Sequence, residues 1–337
     1  MDIKQICIAL YKALYGDWTY HLRMQKKGER ENLLPHYEKN DNEATVSSAV
    51  VYVNNGWTWH AGLCDRLRAI VTVYDWCERH GRDFKIYFAH PFMLQDYLTP
   101  NQYNWLMEGK DISYDLRYSV PMQMIYGTSV ERLRLNGKLY PLVEQWMDRR
   151  FLNENRQIHL YTNLFTDKTF EFFSEKFNEL FRPVPRLQTL IDEHLANIGG
   201  KYISISFRFT TLLGDFTDCT GTPLPPEERA ALIESSLEAI KAISRQTPAH
   251  DKILVTADSE TFLSKAKQMN NVYVIPGKVG HIDYDHGDDV NMKTFLDFFL
   301  ISKAEKVYLA RSGKMYRSAF AKTAALVNDR PFEVFEF

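Results

Sequence analysis

Long apolar runs are missing from this chain, and so is an excess of either charge. No stretch reaches the about 18 apolar residues that mark a membrane-crossing helix, so none is expected, and peripheral contact with a membrane stays open. Lysine plus arginine number 41 against 43 aspartates and glutamates, a formal net charge of −2. With no long basic run, a polyanion such as duplex nucleic acid is not an expected partner. Cysteine is sparse, with only Cys7, Cys64, Cys77 and Cys219. No pair has the C-x-x-C spacing of a zinc ribbon or redox motif. Cys64 and Cys77 flank one expected helix, roughly 20 Å apart at 1.5 Å per residue, too far for a disulfide. Such usage fits a reducing compartment, and a cytoplasmic location is the expectation. The opening MDIKQICIALYKALYG carries Lys12 inside its apolar run and no small-residue cleavage site, which argues against a signal peptide. No G-x-G-x-x-G follows an opening strand, which disfavours a nicotinamide dehydrogenase. Internal repeats and low-complexity tracts are absent as well.

What is present is the composition of a folded α/β protein. The 337 residues exceed one ordinary core, so about two domains are expected. Hydrophobic residues make up 45% and charged residues 25%, a globular balance. Aromatics reach 14%, which suits sugar-handling surfaces and ordinary cores alike. Apolar spacing predicts an amphipathic helix over 3–23, then a polar loop or flap over 24–48. A strand over 49–53, a helix over 65–80 closed by Gly81 and a strand over 85–88 form a strand–helix–strand unit. Residues 91–150 read as loop-rich, with short helices near 94–107 and 141–149. A strand over 158–161 and an aromatic helix over 166–181 follow. Arg182-Pro183-Val184-Pro185 breaks the pattern, because two close prolines cannot continue a helix.

A second series then runs in order. Helices are expected over 186–198, 226–244, 260–269, 291–303 and 315–327, and strands over 202–207, 252–256, 272–275 and 306–309. This alternation predicts an α/β protein of two Rossmann-like domains facing a cleft, residues 1–183 with a helical N-terminal extension and residues 184–337.

The stretch YISISFRFTTLLGDFTD, residues 202–218, organises the second series. Ile203, Ile205 and Phe207 alternate with Ser204 and Ser206 as in a pleat, and Arg208 follows at the strand's carboxyl end. That edge faces the ligand crevice in an α/β sheet, and a guanidinium fork suits phosphate. The other reading is a surface arginine paired with Asp215. Asp258 and Ser259 close a later strand, where they could bond a base or ribose or simply cap the next helix. His281, Asp283, Asp285, His286, Asp288 and Asp289 crowd one loop. They could hold a divalent metal, but a solvated turn feeding a helix is the reading taken, with no metal assigned.

Three blocks carry a resemblance. Gly62-Leu63-Cys64-Asp65-Arg66-Leu67-Arg68 is similar to a glycine-rich G-L-G-N-R-L turn, Ser206-Phe207-Arg208 to an H-x-R block, and Val255-Thr256-Ala257-Asp258-Ser259 to a strand-end T-x-D-S. Residues 297–325 resemble a closing segment that ends in an S-x-F-x-x-x-A-A-like helix. In this order the blocks resemble the fucosyltransferase superfamily: the nodulation-type and core α1,6 enzymes, the α1,2 enzymes and the protein O-fucosyltransferases. The likeness spans roughly residues 49–90 and 200–327, and leaves out 1–48 and most of 91–180. The resemblance implies a GT-B glycosyltransferase that moves fucose from GDP-fucose to a glycan or other hydroxyl with inversion, without metal or cofactor. It places the nucleotide in the C-terminal domain and the acceptor in the N-terminal one.

By resemblance, Arg208 grips the β-phosphate and stabilises the departing diphosphate. Ser312, Ser318 and Ala319, at a helix expected to begin after Gly313, would add backbone donors, or be small residues at a helix entrance. Gly62, Asp65, Arg66, Ser206, Phe207, Asp258 and Ser259 are the other substrate-binding candidates. An inverting transfer needs a base, for which His60, Asp65, Asp215 and Asp218 are candidates. His60 could equally be a loop histidine bonded to backbone, and Asp215 the partner of Arg208. The chain departs from the pattern at Ser206 (histidine in the family), Asp65 (asparagine) and Cys64 (glycine). Those departures keep a second reading alive, a catalytically silent sugar-nucleotide or glycan-binding protein on the same fold.

Overall fold

The computed structural model describes residues 3–37, 48–166, 168–216, 221–247, 250–280 and 287–337. The chain divides into two compact units, one of Met1–Leu94 with Pro100–Phe181, the other of Gln95–Thr99 with Arg182–Phe337.

The first unit is built on a parallel sheet whose strands lie in the order Phe84–Phe88, Val50–Asn54, Gln157–Thr162, Ser119–Met124. Val50–Asn54 is buried at every position, as a parallel strand covered on both faces must be. The helix Leu63–Arg79 packs on the Thr169–Leu180 helix and against this sheet. Ser119–Met124 contains Pro121, which cannot donate to a ladder; its place at the sheet's edge satisfies that limit. This strand was not expected from the sequence, because a proline inside an apolar run reads as loop.

The second unit carries a five-stranded sheet in the order Phe332–Glu336, Val307–Arg311, Tyr202–Ser206, Lys252–Thr256, Val272–Tyr273, with every adjacent pair parallel. Helices Pro226–Gln246 and Glu260–Ala266 bury Ile240, Ile243 and Phe262 against Ile203, Ile205 and Phe207. Each such side chain contributes roughly 2 kcal/mol by leaving water. Helix Asp288–Ser302 packs between Pro185–Ile198 and Phe320–Val327. Ser204 and Ser206, which alternate with the apolar residues, are also buried, at 0% and 7% exposure, because this central strand is covered on both sides.

Four further expectations change. Residues 24–37 are helical rather than a flap: Ile3–Gly28 runs on through Glu29–Leu33 and Leu34–Tyr37. Leu33 and Tyr37, four apart, are buried with Val51, Val53 and Tyr161, which holds the polar sequence in helical form. In place of a helix near 94–107 there is one 3-10 turn, Leu94–Asp96. The helix expected from 315 begins at Phe320, so 312–319 form a loop. The edge strand Phe332–Glu336 was unforeseen. Among the described residues, no helix is long and apolar enough to cross a membrane.

Candidate functional site

In the second sheet the chain progresses from Tyr202–Ser206 to Lys252–Thr256 and Val272–Tyr273, then returns to the other side for Val307–Arg311 and Phe332–Glu336. Tyr202–Ser206 and Val307–Arg311 therefore flank the topological switch point, where loops leave in opposite directions and open a crevice at the carboxyl edge. Leu309, Ser206 and Thr256 lie level across three strands. Two residues beyond each come Arg311, Arg208 and Asp258.

Arg208 Nη1 stands 3.3 Å from Asp258 Oδ2, and its guanidinium lies over the Phe216 ring, 4.8 Å from the centroid. Asp258 in turn accepts from the Phe209 and Thr210 amides, each at 2.8 Å. Burial pushes the Asp258 carboxyl above its usual range; Arg208 and the two amides pull it back down. Arg208 keeps 20% of its side chain exposed. The Tyr316 amide donates to the Arg208 carbonyl at 3.1 Å, tying the two switch-point loops together. A hollow of about 490 Å³ lies there, walled by Thr210 and Leu212 from one loop, Lys314 and Tyr316 from the other, and Pro225 and Glu228 where helix Pro226–Gln246 begins. Its lining does not include Arg208 itself; Thr210, two residues on, provides the nearest wall in the chain.

The other candidates of this edge have structural tasks. Asp215 is not the partner of Arg208; Asp258 is. Asp215 Oδ2 accepts from Ser259 Oγ and from the Thr261 amide, both at 2.8 Å, while Ser259 Oγ accepts from the Phe262 amide at 3.1 Å. The pair caps Glu260–Ala266, so the helix-capping reading of Ser259 is the observed one. Ser206 Oγ bonds Thr256 Oγ1 at 2.8 Å, and Phe207 packs on Phe262 in the core. Ser312 opens a turn whose carbonyl accepts from the Met315 amide, Ser318 Oγ accepts from the Phe320 amide, and Ala319 caps the short Phe320–Val327 helix. Ser312 is thus in the loop rather than at a helix start.

The first sheet is threaded differently: the chain runs from Val50–Asn54 out to Phe84–Phe88, crosses to the far edge at Ser119–Met124 and comes back inward to Gln157–Thr162. The turn after Val50–Asn54 carries the expected glycine-rich block, but the left-handed residue is Ala61, at φ 60°, while Gly62 is extended at φ −68°. A Cβ on Gly62 would meet only Asp65 Oδ2, at 3.9 Å. The strain of the turn sits on alanine, held there by Arg66, whose Nε donates to the Ala61 carbonyl at 2.7 Å and whose Nη1 donates to the His90 carbonyl. Arg66 is buried at 2% exposure, and the Asp65 carboxylate is paired to Arg68. Burial raises the Asp65 carboxyl against the pull of Arg68.

His60 is buried, 1% exposed, with Nδ1 3.0 Å from the Thr58 carbonyl. A carbonyl can only accept, so Nδ1 carries the proton and Nε2 the lone pair. Burial lowers its pKa to about 4 against the opposing pull of the Thr58 and Val53 backbone. His60 Nε2, the Tyr52 hydroxyl and Asn54 Nδ2 are buried without a hydrogen-bond partner among the described residues. The Tyr52 and His60 rings stand 6.0 Å apart. Buried polar atoms left unpaired are rare and need a reason.

Sequence reasoning missed Lys314, Tyr316 and Glu228, and passed over Tyr52 and Asn54. The signal for the first two was their place in the loop after the fourth strand of the series, which counts only once strand order is known. Among the described residues, no group of three or more His, Cys, Asp or Glu could hold a metal ion. Asp288 is paired with Arg186, Nη1 to Oδ2 at 2.9 Å. Asp218 and the loop residues 281–286 lie outside the described residues.

No family model matches the sequence, and no curated protein matches it. Solved structures do. Arabidopsis thaliana FUT1, in complex with GDP, superimposes with a TM-score of 0.52 at 12% identity, over 94% of this chain and 78% of its own. The fucosyltransferase NodZ from Bradyrhizobium gives 0.52 at 14% identity, over 84% of this chain and 94% of its own. The chain has the fold of these fucosyltransferases. POFUT1 in complex with GDP gives 0.50 at 9% identity, over 87% of this chain and 99% of its own. NodZ is described as an α-1,6-fucosyltransferase and has been soaked with GDP-fucose.

Proposed function

We propose that the protein is a glycosyltransferase that moves fucose from GDP-fucose to a hydroxyl of a glycan acceptor, inverting the anomeric centre without a metal or resident cofactor. The second unit takes the nucleotide and the first takes the acceptor, with the domain division at residue 183/184, and the reaction runs in the cytoplasm. Arg208 carries this reading. It stands at the carboxyl edge of the switch-point strand, braced by Asp258 and Phe216, with part of its guanidinium in solvent.

In the reaction the acceptor oxygen forms a bond to C1 of fucose. The bond from C1 to the diphosphate oxygen breaks, its electron pair stays on the β-phosphate, and the acceptor proton passes to a base. The charge appears on the diphosphate, and a cation fixed beforehand stabilises it without reorganisation at the moment of transfer. Lys314, in the facing loop, adds positive charge beside the hollow, and the Glu228 carboxylate offers an acceptor for N–H or O–H groups of the nucleoside. In the first unit, His60 Nε2 presents a lone pair beside Tyr52 and Asn54, which suits an acceptor hydroxyl. The test is GDP-induced thermal stabilisation together with GDP release from GDP-fucose across an acceptor panel. Arg208→Ala should abolish the stabilisation; equal stabilisation of wild type and variant would remove Arg208 from the site.

The silent-binder reading is favoured by two observations. Asp215, a carboxylate in the Arg208 loop, is occupied as a helix cap, and His60 is buried. GDP binding without GDP release on any acceptor would decide for it.

A further inference from the structure

The helix Ile3–Gly28 is two pieces joined at Gly16, whose φ of 82° and ψ of 159° are not helical. In the first piece, Ile6, Leu10 and Leu14 follow at spacings of four and share a face, with exposures of 39%, 58% and 76%. Tyr15 beside them is 61% exposed. Apolar side chains in such a row, bared to water, mark a docking surface. The second piece walls a groove of about 890 Å³ completed by the Leu139–Phe151 helix. Arg23, Lys26, Lys27, Arg30, Arg149 and Arg150 line it, against the single acid Glu29, with Trp18 and Trp146 among them. Glu29 turns Oε1 to the Gln123 amide at 2.9 Å, so its charge is directed at backbone. Stripe and groove are joined through Tyr11: it lines the groove, its ring lies 4.8 Å from that of Tyr15, and Arg23 sits over it at 5.0 Å.

We propose that this apolar stripe and the cationic groove beside it dock the protein on the surface of a bilayer containing anionic lipid. A short apolar helix face enters the headgroup boundary while flanking lysines and arginines meet lipid phosphates, with tryptophans at the interface. The alternative occupant, a second copy of this chain, meets an electrostatic objection. A two-fold contact would set the same face against itself and bring the six cations toward their own counterparts. An anionic surface instead complements them. The contact is interfacial, since no described helix can cross a membrane.

The test is flotation of the full chain with vesicles of phosphatidylglycerol mixed with phosphatidylcholine, and with phosphatidylcholine alone. Binding should occur to the anionic vesicles and weaken with added salt. The double variant Leu10→Glu/Leu14→Glu should lower it tenfold or more, and Lys26→Gln or Arg149→Gln by roughly fivefold each. These exposed positions should leave thermal unfolding unchanged, and the lipid-composition and salt series on the unmodified protein stands apart from any variant's folding. Absence of vesicle binding, equal binding to neutral vesicles, or a dimer by light scattering that Leu14→Glu dissolves would each overturn the proposal.

Discussion

The two sheets are both parallel but threaded differently, and their carboxyl edges differ in how completely they are hydrogen-bonded. In the second unit Asp258 holds two amides and Arg208, and Asp215 holds Ser259 and the Thr261 amide, while Arg311 Nε is buried without a hydrogen-bond partner among the described residues. In the first unit Arg66 donates to backbone carbonyls and Asp65 pairs with Arg68, while His60 Nε2, the Tyr52 hydroxyl and Asn54 Nδ2 are buried without a hydrogen-bond partner among the described residues. A site for a dianionic leaving group needs its charges locked before the ligand arrives, since reorganisation would cost part of the stabilisation. A site for a neutral hydroxyl needs donors and acceptors whose bonds are still to be made. On the proposed function, the first condition suits the Arg208 edge and the second suits the His60 edge.

The comparison breaks most easily at Arg208. Arg208→Ala should lower kcat by about a hundredfold or more, the scale of removing one fixed donor from a developing charge. Single-turnover kinetics on GDP-fucose measure this, and a loss under tenfold would mean that the second edge is not the leaving-group site.

Next in size is Asp258→Ala, which takes the acceptor from two buried amides and the Asp258 carboxylate from Arg208. A loss of about 3 kcal/mol in urea unfolding is expected. Tyr52→Phe makes the counterpart in the first unit. Its hydroxyl has no hydrogen-bond partner among the described residues, so stability should stay within about 0.5 kcal/mol or rise. Similar losses for the two variants would erase the difference between the two edges.

Acid separates the units in a further way. His21, His60 and His159 are held neutral by burial, with pKa values lowered to about 4, about 4 and about 3, and all three belong to the first unit. Unfolded imidazoles take protons near 6.5, which the folded ones refuse until about 4 or below. The unfolded state thus binds more protons across that window, and stability present above pH 6.5 falls as pH drops through it. The slope is about 1.4 kcal/mol per pH unit for each histidine. Hydrogen exchange near pH 5 should show the first unit opening before the second; simultaneous opening would contradict it.

The smallest effects test local geometry. Ser259→Ala should cost about 1 kcal/mol through the lost cap of Glu260–Ala266. Ala61→Gly should stabilise by up to about 1 kcal/mol by relieving the left-handed alanine. Thermal melts resolve both, and a destabilising Ala61→Gly would show that Ala61 is not strained.

Periodicity and punctuation made most elements legible. Lys252–Thr256 matches its expectation residue for residue, and the helices expected over 186–198 and 226–244 are found as Pro185–Ile198 and Pro226–Gln246. Where local cues conflicted with packing they failed, as at 24–37, where buried Leu33 and Tyr37 outweigh a polar sequence, and at Pro121, tolerated only because its strand is an edge. At the candidate site, Arg208 and Asp258 were both singled out, but their pairing was not. Fifty residues separate them, and the nearer Asp215 was the natural guess.

What this sequence determined alone was the alternation of strands and helices and the chemistry available at strand ends, because both depend on neighbours a few residues apart. Strand order was decided only in three dimensions, and with it which loops meet at each carboxyl edge. The partnership of Arg208 with Asp258, the capping role of Asp215 and the burial of His60 follow from that order. The physical reason is that burial and hydrogen-bond completion depend on what lies across the sheet, and the residues alongside in the chain do not report it.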